Sequence, residues 1–280
     1  MSLFGAKRSP ALTAPVRPAA VAGAFYPADP GALQTSVNTY LEQATLPPLN
    51  GTVRAVIAPH AGYIYSGPVA GYSFRALSLS THQEHVVFLM GPAHYVPVSG
   101  VAVGWYQALS TPLGELPVET ELVAQLLEKA SVFSERNDAH APEHCLEVEL
   151  PFLQSLNSAH LRIVPLLFGQ VPPERVVETL TPYLRDDPTS RLVISSDLSH
   201  FHAYGHAKRI DMALLDAIVR RDMSTVARGE ACGRIPILTL MLIAERLGWQ
   251  PHLLDYKNSG DTAGDRQRVV GYGAIAYTEA

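Results

Sequence analysis

Short apolar runs alternate with longer amphipathic segments along this chain, the pattern of a β-sheet covered by helices on both faces. Residues 53–58 are apolar apart from Arg54 and predict a buried strand. Residues 85–90, 163–168 and 191–195 repeat that signature, and 253–256 and 269–277 predict two closing strands. Helical spacing falls on residues 119–130, 144–156, 173–184, 206–222 and 235–247. Asp29 followed by Pro30 reads as a helix cap with proline in the first turn, opening a helix to about Ala44. Pro47-Pro48 and Asn50-Gly51 then break the chain, and Pro151 marks a kink or boundary inside 144–156. No internal repeat or long linker intervenes. The expected fold is α/β, one domain over residues 16–280, with a central mostly parallel or mixed β-sheet flanked by helices. Residues 1–15 lack the apolar core of a signal peptide and read as a loose tail.

Composition narrows the function classes. At 280 residues a chain buries roughly 75% of its unfolded surface, so a large core is available. A net charge of -5, with no run of Lys and Arg, gives no electrostatic reason to expect a nucleic-acid partner. The longest apolar runs, 163–168 and 235–244, are too short to span a bilayer, so no membrane partner is expected. Cys145 and Cys232 are the two cysteines, and with no secretory signal they are expected as reduced thiols in a cytoplasmic protein.

The chemistry gathers after three of the predicted strands. Residues 53–58 run into Pro59-His60-Ala61-Gly62-Tyr63, and 85–90 run into Gly91-Pro92-Ala93-His94. Residues 191–195 run into Ser196-Asp197-Leu198-Ser199-His200. Open α/β sheets bind ligands beyond the carboxyl ends of their strands, and imidazole is both the commonest metal ligand and the usual base near neutral pH. One such histidine is ordinarily a turn-capping residue; three at equivalent strand ends point to a shared site. Only neighbouring strands can share a metal, and strand order is open at this level. Cys232 precedes the apolar segment that starts at Ile235, and a helix N-terminus there predicts a lowered thiol pKa, suited to a nucleophile or ligand. Cys145 has no such context and reads as packing. His144 and Glu147 fall on one helical face by i,i+3 spacing, as a metal pair or an ordinary hydrogen-bonded pair. His202 and His206 are spaced for zinc, but Gly205 between them favours a helix start. Residues 271–276 carry the letters of a dinucleotide fingerprint with no helix to follow, and Ser195 and Ser196 lack a nucleophile elbow.

The segments AGAFYPAD, IAPHAGYIYSG, GPAHYVP, EHCLEVELPFL, VPLLFG, SSDLSH, ACGRIPI and NSGDTAGDRQRVVGYGAIAY, in this order, resemble the Memo family. Its bacterial members are often labelled AmmeMemoRadiSam system protein B, and the resemblance runs over residues 16–277. It implies a fold similar to class III extradiol ring-cleaving dioxygenases, which hold non-haem Fe(II) by two histidines and a carboxylate. In the Memo pattern cysteine takes the carboxylate position. By motif, His60 and His94 are the implied imidazole ligands and Cys232 the thiolate. His200 is the implied acid or base with Asp197 beside it, and His144, Glu147 and Tyr63 are expected around the pocket. Tyr95 stands where some members carry a second histidine, and His202 and His206 are particular to this chain.

A thiolate favours iron or copper over hard ions, so Fe(II) is the expected cofactor, with copper and zinc as alternatives. The label implies a radical S-adenosylmethionine enzyme and an AMMECR1-type protein as partners, and a small-molecule or modified-peptide substrate. The leading expectation is an iron-dependent, dioxygenase-like redox enzyme. The others are a non-catalytic metal- or partner-binding protein on an enzyme scaffold, as eukaryotic relatives that bind phosphotyrosine peptides suggest, and a zinc hydrolase.

Overall fold

The apolar run after Gly51 forms strand β1 (Thr52–Ala58), and its counterparts form β2 (His85–Pro92), β5 (Leu161–Phe168) and β6 (Arg191–Ser195). These belong to a computed structural model that describes residues 15–77, 79, 82–156 and 160–280. The expected tail lies outside the described residues apart from Pro15. Short strands β3 (Val101–Val103), β4 (Phe133–Glu135) and β7 (His200–His202) and long strands β8 (Gln250–Asn258) and β9 (Val269–Glu279) complete a nine-stranded sheet.

Its order is β7-β9-β1-β6-β2-β5-β3-β4, with β8 also on β9. β1, β6, β2 and β5 run parallel, whereas β9 lies antiparallel to β1 and β3 antiparallel to β5. The sheet is therefore mixed. Central strands buried on both faces read as continuous apolar runs, as β2 and β5 do. The open question of strand order is answered here. β1, β6 and β2 are immediate neighbours, with Ala55–Ala58 along Leu192–Ser195 and Val87–Met90 along Arg191–Ile194. All three carboxyl ends meet on one rim.

Among the described residues six helices of ten or more residues flank the sheet: α1 (Pro30–Gln43), α2 (Tyr63–Ala76), α3 (Thr120–Lys129), α4 (Pro173–Asp186), α5 (Tyr204–Val219) and α6 (Arg234–Leu247). α1 packs on α2, which lies on β1 and β9, while α4 packs on α6, which lies on β2 and β6. A small second sheet joins Val16–Arg17, Ala108–Thr111 and Gly114–Pro117. Among the described residues no helix is long and apolar enough to cross a membrane.

Two elements depart from the sequence pattern. α2 follows directly on His60 although Gly67, Pro68 and Gly71 lower its propensity. Those glycines are there for close packing: a Cβ on Gly67 would meet the Tyr40 ring at 2.4 Å, and one on Gly71 the Tyr40 carbonyl oxygen at 2.4 Å. The expected helix over 144–156 is instead a turn, a 3-10 turn at Glu147–Glu149 and a short helix at Leu150–Gln154. Pro151 sits in the first turn of that last helix, where its missing N–H costs nothing.

Candidate metal centre

The rim formed by β1, β6 and β2 brings His60, His94 and Cys232 together. One donor atom from each lies within 4.8 Å of the other two, and His60 Nε2 is 3.3 Å from Cys232 Sγ. Ligands bound to one metal at 2.0–2.3 Å stand at most about 4.6 Å apart, so small side-chain movements would close the set on an ion. The ring centroids of His60 and His94 are 5.3 Å apart, and His144 joins them at 5.4 Å from His60 and 4.8 Å from His94.

The His60 and His94 imidazoles are each oriented by a hydrogen bond at Nδ1. His60 Nδ1 lies 2.7 Å from Ser195 Oγ, which in turn lies 2.8 Å from the Cys145 carbonyl oxygen and 2.7 Å from Glu149 Oε1. With the serine proton on one of those oxygens, as its distances to both allow, His60 Nδ1 is the donor and Nε2 keeps its lone pair towards Cys232. Glu143 performs the same task on the other side. Its Oε1 takes the His94 Nδ1 proton at 2.8 Å, and its Oε2 accepts the His94 backbone N–H at 2.6 Å. Oε1 also accepts the amides of His144 and Cys145. Metal-binding histidines characteristically use such outer partners to fix their tautomer.

The electrostatics match this packing. Burial drives the His60 pKa well below its ordinary value, and the neighbouring imidazoles His94 and His144 push the same way. Burial also opposes ionisation of Glu143, but the His144 imidazole 3.2 Å away and the hydrogen bonds from His94 outweigh it and hold the carboxyl far below the usual range. Glu149 is raised by its complete burial, and Oε2 has no hydrogen-bond partner. The Cys232 thiol is pushed up to about 12, by burial first and then by the Asp197 carboxylate. This corrects the expectation of a lowered thiol pKa: the N–H groups of Asp197 and Gly233 do act on the sulfur, but desolvation is larger. A cation in place of the thiol proton would reverse that balance.

Asp197 ties the rim together. Its Oδ1 accepts the His60 backbone N–H at 2.8 Å, its carbonyl accepts the Cys232 N–H, and its own N–H points at Cys232 Sγ, 3.2 Å away. His200 donates Nδ1–H to the Leu198 carbonyl at 2.9 Å, leaving Nε2 as its basic nitrogen. A pocket of about 530 Å³ opens beside the cluster, lined by His144 and Asp197 and by Tyr65, Phe201, Arg268 and Tyr272 among others.

Two residues expected around this pocket face elsewhere. Tyr63 is buried, donates to the Val148 carbonyl and packs against Tyr26 and Phe152; Tyr65, two residues on, lines the pocket instead. Glu147 is fully buried against Arg17 at 2.7 Å and accepts from Ala20, Val21 and Tyr26. It is not paired with His144, because the chain there is not helical. His202 meets Glu230 at 2.8 Å and precedes α5, so the Gly205 helix-start reading accounts for the His202–His206 spacing. Cys145 is fully buried, as a packing residue should be. The sequence pattern assigned no role to Glu143 or Glu149, and weighed Ser195 only as a nucleophile. The signal was acid residues inside the apolar segment EHCLEVELPFL, since carboxylates are buried only with partners.

A family model described as Memo-like protein matches residues 17–276. A MEMO1 family protein of Sulfolobus acidocaldarius is 33% identical, over 94% of this chain and 99% of its own length. Those of Aeropyrum pernix and Archaeoglobus fulgidus are 35% and 36% identical, over 93% and 92% of this chain and 99% and 97% of theirs.

Proposed function

This chain belongs to the Memo family, and we propose that it is a His60/His94/Cys232 metalloprotein of dioxygenase-like redox type whose native metal is iron. The observation that supports this reading is the convergence of the three side chains, with the Nδ1 atoms of both imidazoles engaged on Ser195 and Glu143. Two imidazoles and a soft thiolate suit iron or copper better than magnesium. Iron held by His60, His94 and Cys232 would supply a redox-active Lewis acid.

The chain's own residues divide the remaining work. Ser195 and Glu149 hold the His60 ring, Glu143 holds the His94 ring, and Asp197 fixes the backbone of both His60 and Cys232. His200 Nε2 is the group to carry a proton, because Nδ1 is committed to Leu198. The pocket's aromatic side chains would cover part of a bound molecule. The substrate would be a small molecule or modified peptide met in the cytoplasm, and the radical S-adenosylmethionine and AMMECR1-type proteins would be functional neighbours.

Elemental analysis of anaerobically purified protein, beside His60→Ala and Cys232→Ala, tests the metal. Near-stoichiometric iron that both variants lose supports the redox reading, and zinc in its place transfers the argument to hydrolysis. A second reading, a non-catalytic partner-binding protein, is favoured by the exposed side chains of Phe201 (60%) and Tyr95 (55%) near the pocket. Folded protein with no metal of any kind would select it.

A further inference from the structure

Phe201 combines two features that seldom coincide. It is a bulky residue in the left-handed region at φ 63°, and its ring is mostly exposed. It sits where the pairing of β7 with β9 slips by one residue between His200 and His202. Neither core packing nor turn chemistry requires an aromatic side chain at such a position, and residues held in sparsely populated conformations cluster at ligand clamps. The ring is used. The Arg268 guanidinium stands over it, 5.0 Å from its centroid, and both residues line the pocket beside the metal centre.

Arg268 has no carboxylate partner in any ion pair among the described residues. An arginine stacked on an aromatic face keeps its fork of N–H donors in one plane, ready for a planar oxyanion. The other walls supply flat apolar surface from Phe25, Tyr65 and Tyr272. Asp265 also lines the pocket, and a second acid there disfavours a dianion and leaves a single negative charge as the better match. We propose that Phe201 and Arg268 form a clamp that reads the carboxylate of a planar aromatic acid, with the acid's ring held between the aromatic walls and its far edge directed at His144 and Asp197. This names the substrate class of the site described above and rests on that reading for its catalytic meaning, but the binding itself does not depend on the metal.

The test is equilibrium binding to the purified full chain, by calorimetry, of 4-hydroxybenzoate, neutral 4-hydroxybenzamide and phenyl phosphate. A charge-assisted, bidentate contact should make 4-hydroxybenzoate bind about ten-fold or more tightly than the amide. Arg268→Ala should erase that preference and Arg268→Lys should restore only part of it, with circular dichroism unchanged in both. Equal binding of acid and amide, a preference that survives Arg268→Ala, tighter binding of phenyl phosphate, or no binding of the acid at millimolar concentration each overturns the proposal. Metal content measured on the same samples separates the two ideas: metal loss in His60→Ala with the acid preference intact sustains both, whereas no metal with the preference intact removes only the redox reading.

Discussion

Glu143 and Glu147 lie four residues apart and are both buried, yet they build two regions of opposite character. Glu147 is closed off. Arg17, the amides of Ala20 and Val21 and the Tyr26 hydroxyl take its oxygens, and the rest of the Arg17 guanidinium is spent on the carbonyls of His140 and Glu143. Glu143 also collects backbone amides, but its Nδ1–H donor is His94, whose second ring nitrogen is thereby presented as a lone pair. The first carboxylate latches the residues 17–26 onto the body of the protein; the second turns a side chain outward for binding. A buried charge therefore signals function only when one of its partners has a second functional face.

The strongest way to break the comparison is at Arg17. Besides the Glu147 pair, its guanidinium donates to the carbonyls of His140 and Glu143. Arg17→Ala leaves a buried carboxylate uncompensated and should cost about 3–5 kcal/mol of stability. The melting temperature should fall by roughly 10 °C, with metal content per folded molecule unchanged. Loss of metal without loss of stability would show that the latch and the site are one unit.

His140 sits at the join between the two regions and gives the next effect. Burial lowers its pKa to about 4, against the pull of its hydrogen bond to the Ala102 carbonyl. Above pH 6.5 the imidazole is neutral in both the folded and unfolded states, so it makes no difference there. As pH falls from 6.5 to about 4 only the unfolded chain takes up the proton, and stability drops by about 3 kcal/mol in total. Denaturation curves across that window should show the decline, and His140→Gln, which can still donate to Ala102, should flatten it. An unchanged slope in the variant would assign the acid limb to other groups.

How much of this was legible in the sequence divides along the same line. His60, His94 and Asp197 could be found because each follows an apolar strand run, and ligand sites form beyond such ends. That their strands are neighbours depends on pairing between residues more than a hundred positions apart, which local periodicity does not carry. α2 was hidden because Gly67 and Gly71 are chosen for the approach of Tyr40, against helix propensity. Glu143 was hidden because its partner is 49 residues away. The Cys232 thiol was misread from its place before a helix, since the sulfur's burial beside Asp197 is a tertiary fact.

Glu143→Gln sharpens the comparison from the other side. The substitution keeps the shape but turns one acceptor into an NH2 group facing N–H donors, at a cost of about 2 kcal/mol. More telling is the site: with His94 no longer held in one tautomer, metal affinity should fall about 10–100-fold. Competition with a chelator of known affinity measures it. An affinity equal to that of the unmodified protein would mean that Glu143 is a latch like Glu147.

The smallest effect in stability is expected at a strained surface position. Phe201→Asn places a residue that tolerates the left-handed conformation at φ 63°, relieving about 1–2 kcal/mol. Losing the stacked guanidinium of Arg268 returns about 0.5–1 kcal/mol, and the exposed ring contributes little burial. The net change is a gain of about 0.5 kcal/mol, read as a melting temperature one or two degrees higher by these magnitudes. Binding of 4-hydroxybenzoate should weaken in the same variant, because the arginine has lost its platform. A protein that pays stability for a side chain on its surface uses that side chain, and a variant that became less stable while binding the acid equally well would show that Phe201 is ordinary packing.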